Sequence, residues 1–410
     1  MRVLLLNQYY APDEAPTARL LADVGQELAR AGHSVRAVCS RRAYADPARH
    51  YPARETISGV AVYRSRSTGF GRGSRPARIL DYATFIAGAG WRLVAGPRAD
   101  VIVVLTTPPM LAAAAVWAAR LRRAKVVYWV MDLYPDIAFR LGILAPGSVV
   151  GRMLGRIARR TLAGSSRVVT LGETMSERVR AAGATDPVVI HNWADGRKIR
   201  PIPRAGHPLR RESGWSERFV VMHSGNMGLA HEFDAVVEAA ERLRDRPSVR
   251  FVFVGGGPRK AEVEREVRRR SLTNVEFRPS VPVETLGRSL TAADVHLVTL
   301  RPGVPGLLVP SKIYGILAAG RPTAYVGPDE GEVADILRRG RCGVRIANGD
   351  GAALADVVVR YEDDAARRRE EGDRARALFE ERFERSDAVR AFRVVIESLG
   401  QPDGAAEPAR

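Results

Sequence analysis

Short apolar runs, each followed by a loop and then an amphipathic helical stretch, recur along the chain, and this alternation restricts the fold more than any other feature. Val3 to Leu6 is such a run, ending at Asn7, with the length and content of a buried parallel strand. Tyr9 to Pro16, with two prolines, reads as a loop. Thr17 to Ala31 sets Leu20, Leu21, Val24 and Leu28 on one stripe, with Gly32 after its end, and Val35 to Cys39 returns as a strand. Val101 to Leu105, Val126 to Val130, Val168 to Leu171 and Val188 to His191 continue the series. A further strand is expected at Val60 to Tyr63. Strand, loop and helix in this order predict a doubly wound parallel sheet. The first loop lacks G-x-G-x-x-G spacing, which argues against a nicotinamide-dependent oxidoreductase.

The pattern starts afresh at Phe219. Phe219 to His223 is a strand, Ser224 to Gly228 a tight loop, and Glu232 to Arg244 a helix. Strands follow at Phe251 to Val254, Val275 to Phe277 and Val295 to Leu300. A chain of 410 residues is too long for one ordinary core, so two domains are expected. The Pro- and Arg-rich stretch between the series is read as the linker, which gives domains at 1–195 and 215–384 joined by 196–214. Glu362 to Glu384 pairs Arg with Glu at helical spacing and reads as a solvated face. A last apolar helix within 385–400 is expected to return to the N-terminal domain, with a disordered tail at 401–410.

One stretch invites a ligand. Gly306 to Val309 leads into Pro310-Ser311-Lys312, an apolar helix-like run from Ile313 to Ala319 follows, and Pro322 opens a strand. Free N–H groups and the dipole at a helix start favour an anion, and Ser311 occupies the N-cap position. A lysine in the first turn opposes the dipole, which suggests a ligand for Lys312; a capped helix with a solvated lysine is the alternative. Asp132 stands just past the end of its strand, where ligands of open parallel sheets gather, or else caps the next turn. Gly255 to Gly257 close another strand, as close-approach glycines or as ordinary turn residues.

Charge is unevenly placed. Residues 1–200 hold 30 Lys+Arg against 14 Asp+Glu, a difference of +16, whereas the remaining residues hold 34 against 32, a difference of +2. A basic half could face nucleic acid, anionic lipid or a phosphorylated substrate. The Arg64–Arg78 segment has five arginines and no acid and reads as a mobile basic loop. Its neighbour Ile79 to Val94 is either a core helix or one lying in a membrane interface. The arginine-rich loop lacks interleaved aromatics, and no helix-turn-helix or zinc pattern occurs, so nucleic acid is not expected as a partner. Two cysteines far apart, Cys39 and Cys342, predict no disulfide framework, and no Cys/His cluster has metal spacing. The opening residues are too short an apolar run for a signal peptide, and no run is long enough to span a membrane.

Taken together, RAGHSVRAV, VVIHNWAD, VMHSGNMG, FVFVGGGP, AADVHLVTL, VPSKIYGILAAGRP and the later GEV make the chain resemble the family 4 nucleotide-sugar glycosyltransferases, over residues 1 to about 400. It looks closest to the branch that builds exopolysaccharide, O-antigen and colanic acid repeats. The resemblance implies an α/β fold of the GT-B kind, two doubly wound Rossmann-like domains facing a cleft, with the acceptor in the first and the donor in the second. It implies that the backbone at Val281 and Pro282 holds the base, that Gly225, Asn226, Ser311 and Lys312 hold the diphosphate, and that Glu332 faces the sugar or ribose. Gly255, Gly256 and Pro310 join that donor set, while Glu14, Ala15 and Pro16 form an acceptor-side loop. Asp132 and Lys312 are the catalytic candidates. The expected activity is retaining and metal-independent, needing no cofactor, with a nucleotide-diphosphate sugar as substrate and a lipid-linked glycan as acceptor. The expected place of work is the cytoplasmic face of the cell membrane, reached through the basic half. An epimerase or hydrolase of the same fold, or a non-enzymatic binder of anionic lipid or nucleic acid, is the alternative. Two positions depart from the family pattern. Its paired glutamates fall on Leu307 and Gly315, and the usual histidine before Asp132 is Met131, so no general base is assigned.

Overall fold

The computed structural model describes residues 1–44, 46, 48–70 and 75–400. The chain divides into two compact units, one of Met1–His191 with the chain from Ser386 on, the other of Asn192–Arg385.

The first unit is built on β1 (Arg2–Leu6), β2 (Ser34–Ser40), β3 (Arg54–Ile57), β4 (Val60–Ser65), β5 (Val101–Leu105), β6 (Lys125–Trp129), β7 (Arg167–Thr170) and β8 (Val188–Val189). They form one sheet in the order β3-β4-β2-β1-β5-β6-β7-β8, parallel except for the edge pair β3–β4. Its helices are α1 (Pro16–Arg30), α2 (Arg75–Ala95), α3 (Leu111–Arg122), α4 (Asp136–Arg140), α5 (Val149–Ala163) and α6 (Glu173–Ala181). The central strands are apolar at consecutive positions because helices cover both faces, and every residue of β5 is buried. Helix α1 starts at a proline, whose missing N–H costs nothing at that position. Gly25 lets α1 approach the sheet: a Cβ there would stand 2.6 Å from the Tyr10 hydroxyl and 2.8 Å from Leu5 Cδ1. The hairpin strand β3 carries too little apolar pattern to show in the sequence.

The second unit holds α7 (Pro208–Glu212), β9 (Phe219–Ser224), α8 (Asp234–Arg242), β10 (Val249–Val254), α9 (Lys260–Arg269), β11 (Val275–Arg278) and α10 (Val283–Thr291). It continues with β12 (Val295–Thr299), α11 (Lys312–Ala318), β13 (Thr323–Val326), α12 (Glu332–Gly340), β14 (Gly343–Ile346), α13 (Gly351–Asp363) and α14 (Ala365–Arg382). Its six-stranded sheet is parallel throughout, in the order β11-β10-β9-β12-β13-β14. Helix α15 (Arg385–Ser398) packs on the first unit, with Phe392 against Trp129 at 4.2 Å between ring centroids. Glu397 meets His33 at 2.9 Å, and Arg393 donates to Glu27 at 2.9 Å.

Two expectations need correction. The stretch 196–214 is not a free linker but part of the second unit. Arg210 is 1% exposed and donates to Asp294 at 2.9 Å and to the Ala292 carbonyl at 2.7 Å, while Asp294 also accepts from the Val220 N–H at 2.8 Å. A buried arginine is tolerated only when so fully satisfied, and Pro- and Arg-rich composition gives no hint of it. The charged run Glu362 to Glu384 is likewise only partly solvated. Glu371 is buried, accepts from Tyr361 and Arg367, and lies on the same helix as the buried Ala375 and Phe379. Of the basic segment Arg64–Arg78, β4 takes the first residues and α2 the last, and 71–74 lie outside the described residues, as does the tail 401–410. Cys39 and Cys342 are both buried and free. No helix among the described residues is long and apolar enough to cross a membrane.

Candidate active site

Because the second sheet is wholly parallel, the loops after β9, β10, β11, β12 and β13 all leave from its carboxyl edge. The winding direction reverses between β9 and β12, and in sheets of this kind ligands bind outside the strand ends at such a point. The loop after β9 carries Gly225 and Asn226, and the loop after β12 ends in Pro310, Ser311 and Lys312. These two loops meet: a Cβ on Gly225 would lie 3.6 Å from Lys312 Cε. The loop after β10 closes on the first of them. Gly255 has φ 130° and no room for a Cβ, which would lie 2.3 Å from the Gly225 carbonyl oxygen, and the Met227 N–H donates to the Gly256 carbonyl at 2.7 Å. The glycines are therefore there for backbone-to-backbone packing, and Gly256 still opens to free space.

Lys312 is not a solvated lysine. Its ammonium is 2.9 Å from Nε2 of His223, the buried penultimate residue of β9, and donates to it. Burial pushes the Lys312 pKa down to about 7, so near neutrality the group is poised between charged and neutral. His223 is held neutral first by burial and next by the Lys312 charge, so Nε2 accepts and its proton sits on Nδ1. His231 stands edge-on to His223 at 5.8 Å between centroids, and its Nδ1 donates to the Thr299 carbonyl at 2.6 Å. Ser311 fills the N-cap position with helical backbone angles and makes no capping bond, so the capped-helix reading fails at that residue. Pro310 is buried beneath the loop.

The other donor-side residues leave the same edge. Val281 packs toward Trp215, and Pro282 is the exposed N-cap of α10. Glu332 begins α12 behind Gly331, whose φ of 97° and closeness to Pro305 admit no side chain. An acid in that first turn suits the helix dipole whatever else it does. The histidine partner of Lys312 escaped the sequence reading because 89 residues separate the two, and no local pattern marks such a pair.

His207, His223, His231 and His296 are all buried in this unit, and burial is the first cause that lowers each of their pKa values, to about 4 for His207 and His296 and about 3 for His231. The unfolded chain takes up protons on them near pH 6.5, before the folded one does, so stability falls as pH drops from about 6.5 toward 4. Each histidine adds a slope of about 1.4 kcal/mol per pH unit in that window. Urea unfolding at pH 7.5 and 5.5 checks this, and equal midpoints would show that these rings are not buried neutral.

In the first unit Asp132 follows β6 at the carboxyl edge, and its N–H donates to the Thr106 hydroxyl at 3.3 Å. It caps no helix: the N-cap of α4 is Pro135, without a side-chain bond. Burial pushes its carboxyl up to about 6. The loop after β1 is pinned by Asp13, buried, which accepts from the Ala15 N–H at 3.0 Å and the Tyr44 N–H at 2.8 Å. Of the three residues expected to line it, Glu14 and Pro16 are exposed, but Ala15, the N-cap of α1, is 1% exposed.

Two parallel-sheet α/β units, with a lysine-bearing loop at the switch point of the second, have the fold of the GT-B class. Residues 17–193 match the glycosyl transferase 4-like domain and residues 218–364 the glycosyl transferases group 1 domain. The chain belongs to this glycosyltransferase family. It is 28% identical to the glycosyltransferase WbjE of Pseudomonas aeruginosa over 64% of this chain and 66% of that one, just under two thirds of WbjE's length. It is 26% identical to WcaI of Escherichia coli, named as a colanic acid biosynthesis glycosyl transferase, over 78% of this chain and 82% of that one. Among solved structures it superposes on Anabaena HepE in complex with UDP-glucose, with a TM-score of 0.73 at 16% identity, covering 97% of this chain and 100% of that one.

Proposed function

We propose that this enzyme is a retaining, metal-independent transferase. It moves a hexose-type sugar from a nucleotide diphosphate onto a polyprenyl-linked glycan in cell-surface polysaccharide synthesis. Lys312, held by His223 beside Gly225 at the switch point of the second sheet, carries this reading. The bond between anomeric carbon and diphosphate oxygen breaks, and one to an acceptor hydroxyl oxygen forms as that hydroxyl loses its proton. Negative charge grows on the departing diphosphate, where a pre-placed ammonium stabilises it most. Asp132 orients the acceptor hydroxyl, whose proton passes to the departing diphosphate oxygen. The UDP-glucose of HepE and the colanic acid role in the name of WcaI support the donor and product classes. The first unit works against the anionic cytoplasmic face of the membrane. No resident cofactor is needed.

The deciding experiment incubates the enzyme with radiolabelled UDP-, GDP- and ADP-sugars and a bacterial lipid extract. Label in an organic-extractable product is the expected result. Label released as free or isomerised sugar, with none in lipid, would instead make it a hydrolase or epimerase. The donor that transfers should also raise the melting temperature, because ligand bound to the folded state alone stabilises it.

A further inference from the structure

In the first unit, a pocket of about 610 Å³ opens between α2 and the face formed by β1, β2 and β4. That is the size of a small-molecule site. Four arginines line it, Arg36, Arg54, Arg66 and Arg92, and no acid does. None of the four is paired with a carboxylate among the described residues; the acid nearest in sequence, Glu55, is taken by Arg64. Two are instead fixed by neutral acceptors. Arg36 donates to the carbonyls of Pro97 and Arg98, both at 2.9 Å, and Arg92 donates through Nε to Ser65 Oγ at 3.0 Å. Arg54 lies over the Tyr63 ring at 5.4 Å, and Arg66 is exposed. A guanidinium has five N–H donors, so both fixed arginines keep donors to spare. Four like charges around one cavity repel each other, and carbonyls and one hydroxyl hold Arg36 and Arg92 in place without neutralising them. Such a set matches a phosphate group, which guanidinium groups bind by parallel N–H donors.

The surroundings choose what carries the phosphate. Trp91 lines the pocket and is 72% exposed. The same helix exposes Ile79 and Leu80, and α3, packed beside α2, exposes Trp117 and Leu121. Among the described residues, the exposed large apolar side chains are concentrated between Phe70 and Met153; Leu229 and Val394 are the ones outside. Tryptophan and aliphatic side chains beside arginines suit the level of lipid headgroups, whereas a soluble phosphate ester would have no use for them. We infer that the pocket between α2 and the β1–β2–β4 face, lined by Arg36, Arg54, Arg66 and Arg92, binds the headgroup phosphate of an anionic lipid. This inference rests on the membrane part of the proposed function.

Arg54 and Arg66 can be changed with least harm, since both are exposed and neither makes a hydrogen bond to the described residues. R54Q/R66Q is compared with R178Q/R180Q, which removes the same charge from exposed positions on α6. Sedimentation uses vesicles of phosphatidylcholine alone and with about one fifth phosphatidic acid. The wild-type chain should bind only the anionic vesicles. R54Q/R66Q should bind them about 30-fold more weakly, at about 1 kcal/mol for each of the two basic residues near such a surface, and R178Q/R180Q nearly as the wild type does. Millimolar glycerol phosphate should not displace the protein. Equal loss in both variants would mean diffuse attraction and overturn the pocket alone, and displacement by glycerol phosphate would overturn the lipid source. A wild-type chain that binds neither vesicle overturns the membrane reading and the pocket with it, while sugar transfer in the radiolabel assay would stand untouched.

Discussion

Lys312→Ala is expected to weaken the binding of nucleoside diphosphate by about 10- to 150-fold, because a charge-assisted contact to such a group contributes roughly 1.5–3 kcal/mol. Turnover should fall further, since in the proposed transfer charge grows on the diphosphate as the sugar leaves. The pKa of about 7 adds a signature that a merely structural lysine would lack. A bound diphosphate raises that pKa, so the complex holds a proton that the free enzyme has lost above pH 7. Affinity must then decline as pH rises above 7, by up to about tenfold per unit, and Lys312→Ala should abolish that dependence. In the enzyme without ligand, the unfolded chain keeps this proton up to about pH 10.5 and the folded chain only to about 7. Stability therefore rises with pH across that window through this group. Removing Lys312 relieves a desolvated charge but leaves the His223 ring nitrogen unpaired, so the melting temperature should change little. Lys312→Arg should not restore activity, because a planar fork cannot sit where a compact ammonium meets one imidazole nitrogen. Calorimetric titration with UDP at pH 6.5 and 8.5 tests the claim. Wild-type affinity in Lys312→Ala at both values would leave the loop without a role in binding the donor.

Why that lysine stands out in the sequence as a candidate, and its buried partner does not, follows from what local patterns carry. Val3 to Leu6 and Phe219 to His223 announce two buried parallel strands because a strand covered on both faces must be apolar at every step. Pro310-Ser311-Lys312 is legible because a cation at the start of a helix is locally unfavourable. The site is made, however, by strand order. β9 and β12 are neighbours, so the loops after them converge, and their joint product is the contact between Lys312 and His223. No residue near either position encodes that adjacency. Arg210 shows the same limit from the other side: one residue in a stretch that looks like linker is buried by a carboxylate 84 residues away. The pocket beneath α2 is a further case, since Arg36, Arg54, Arg66 and Arg92 come from separate elements and resemble inert basic surface until the sheet gathers them.

Asp132→Asn should reduce turnover by about 100-fold or more while leaving nucleotide affinity near the wild-type value, because the proposed donor site lies in the second unit. Two observations separate this from a structural role. Asp132 caps no helix, so asparagine, which caps about as well, has no cap to preserve. Its carboxyl is also pushed up to about 6 by burial. The folded chain therefore keeps this proton between about pH 4 and 6 while the unfolded chain has lost it, and ionising Asp132 lowers stability as pH rises through that range. Above pH 6 the enzyme carries a partly buried carboxylate whose charge the fold does not compensate. A neutral amide removes that burden. Asp132→Asn should then melt higher than the wild type at pH 8, by about 2–4 °C for each kcal/mol recovered, even as it loses activity. The wild-type rate should climb with pH through about 6 as the carboxylate forms, and the variant's residual rate should not. A residue kept for packing would give the reverse: a lower melting temperature and nearly unchanged turnover. Differential scanning calorimetry and a pH–rate profile on the same two proteins decide between these outcomes, and a destabilised, fully active Asp132→Asn would remove Asp132 from the site.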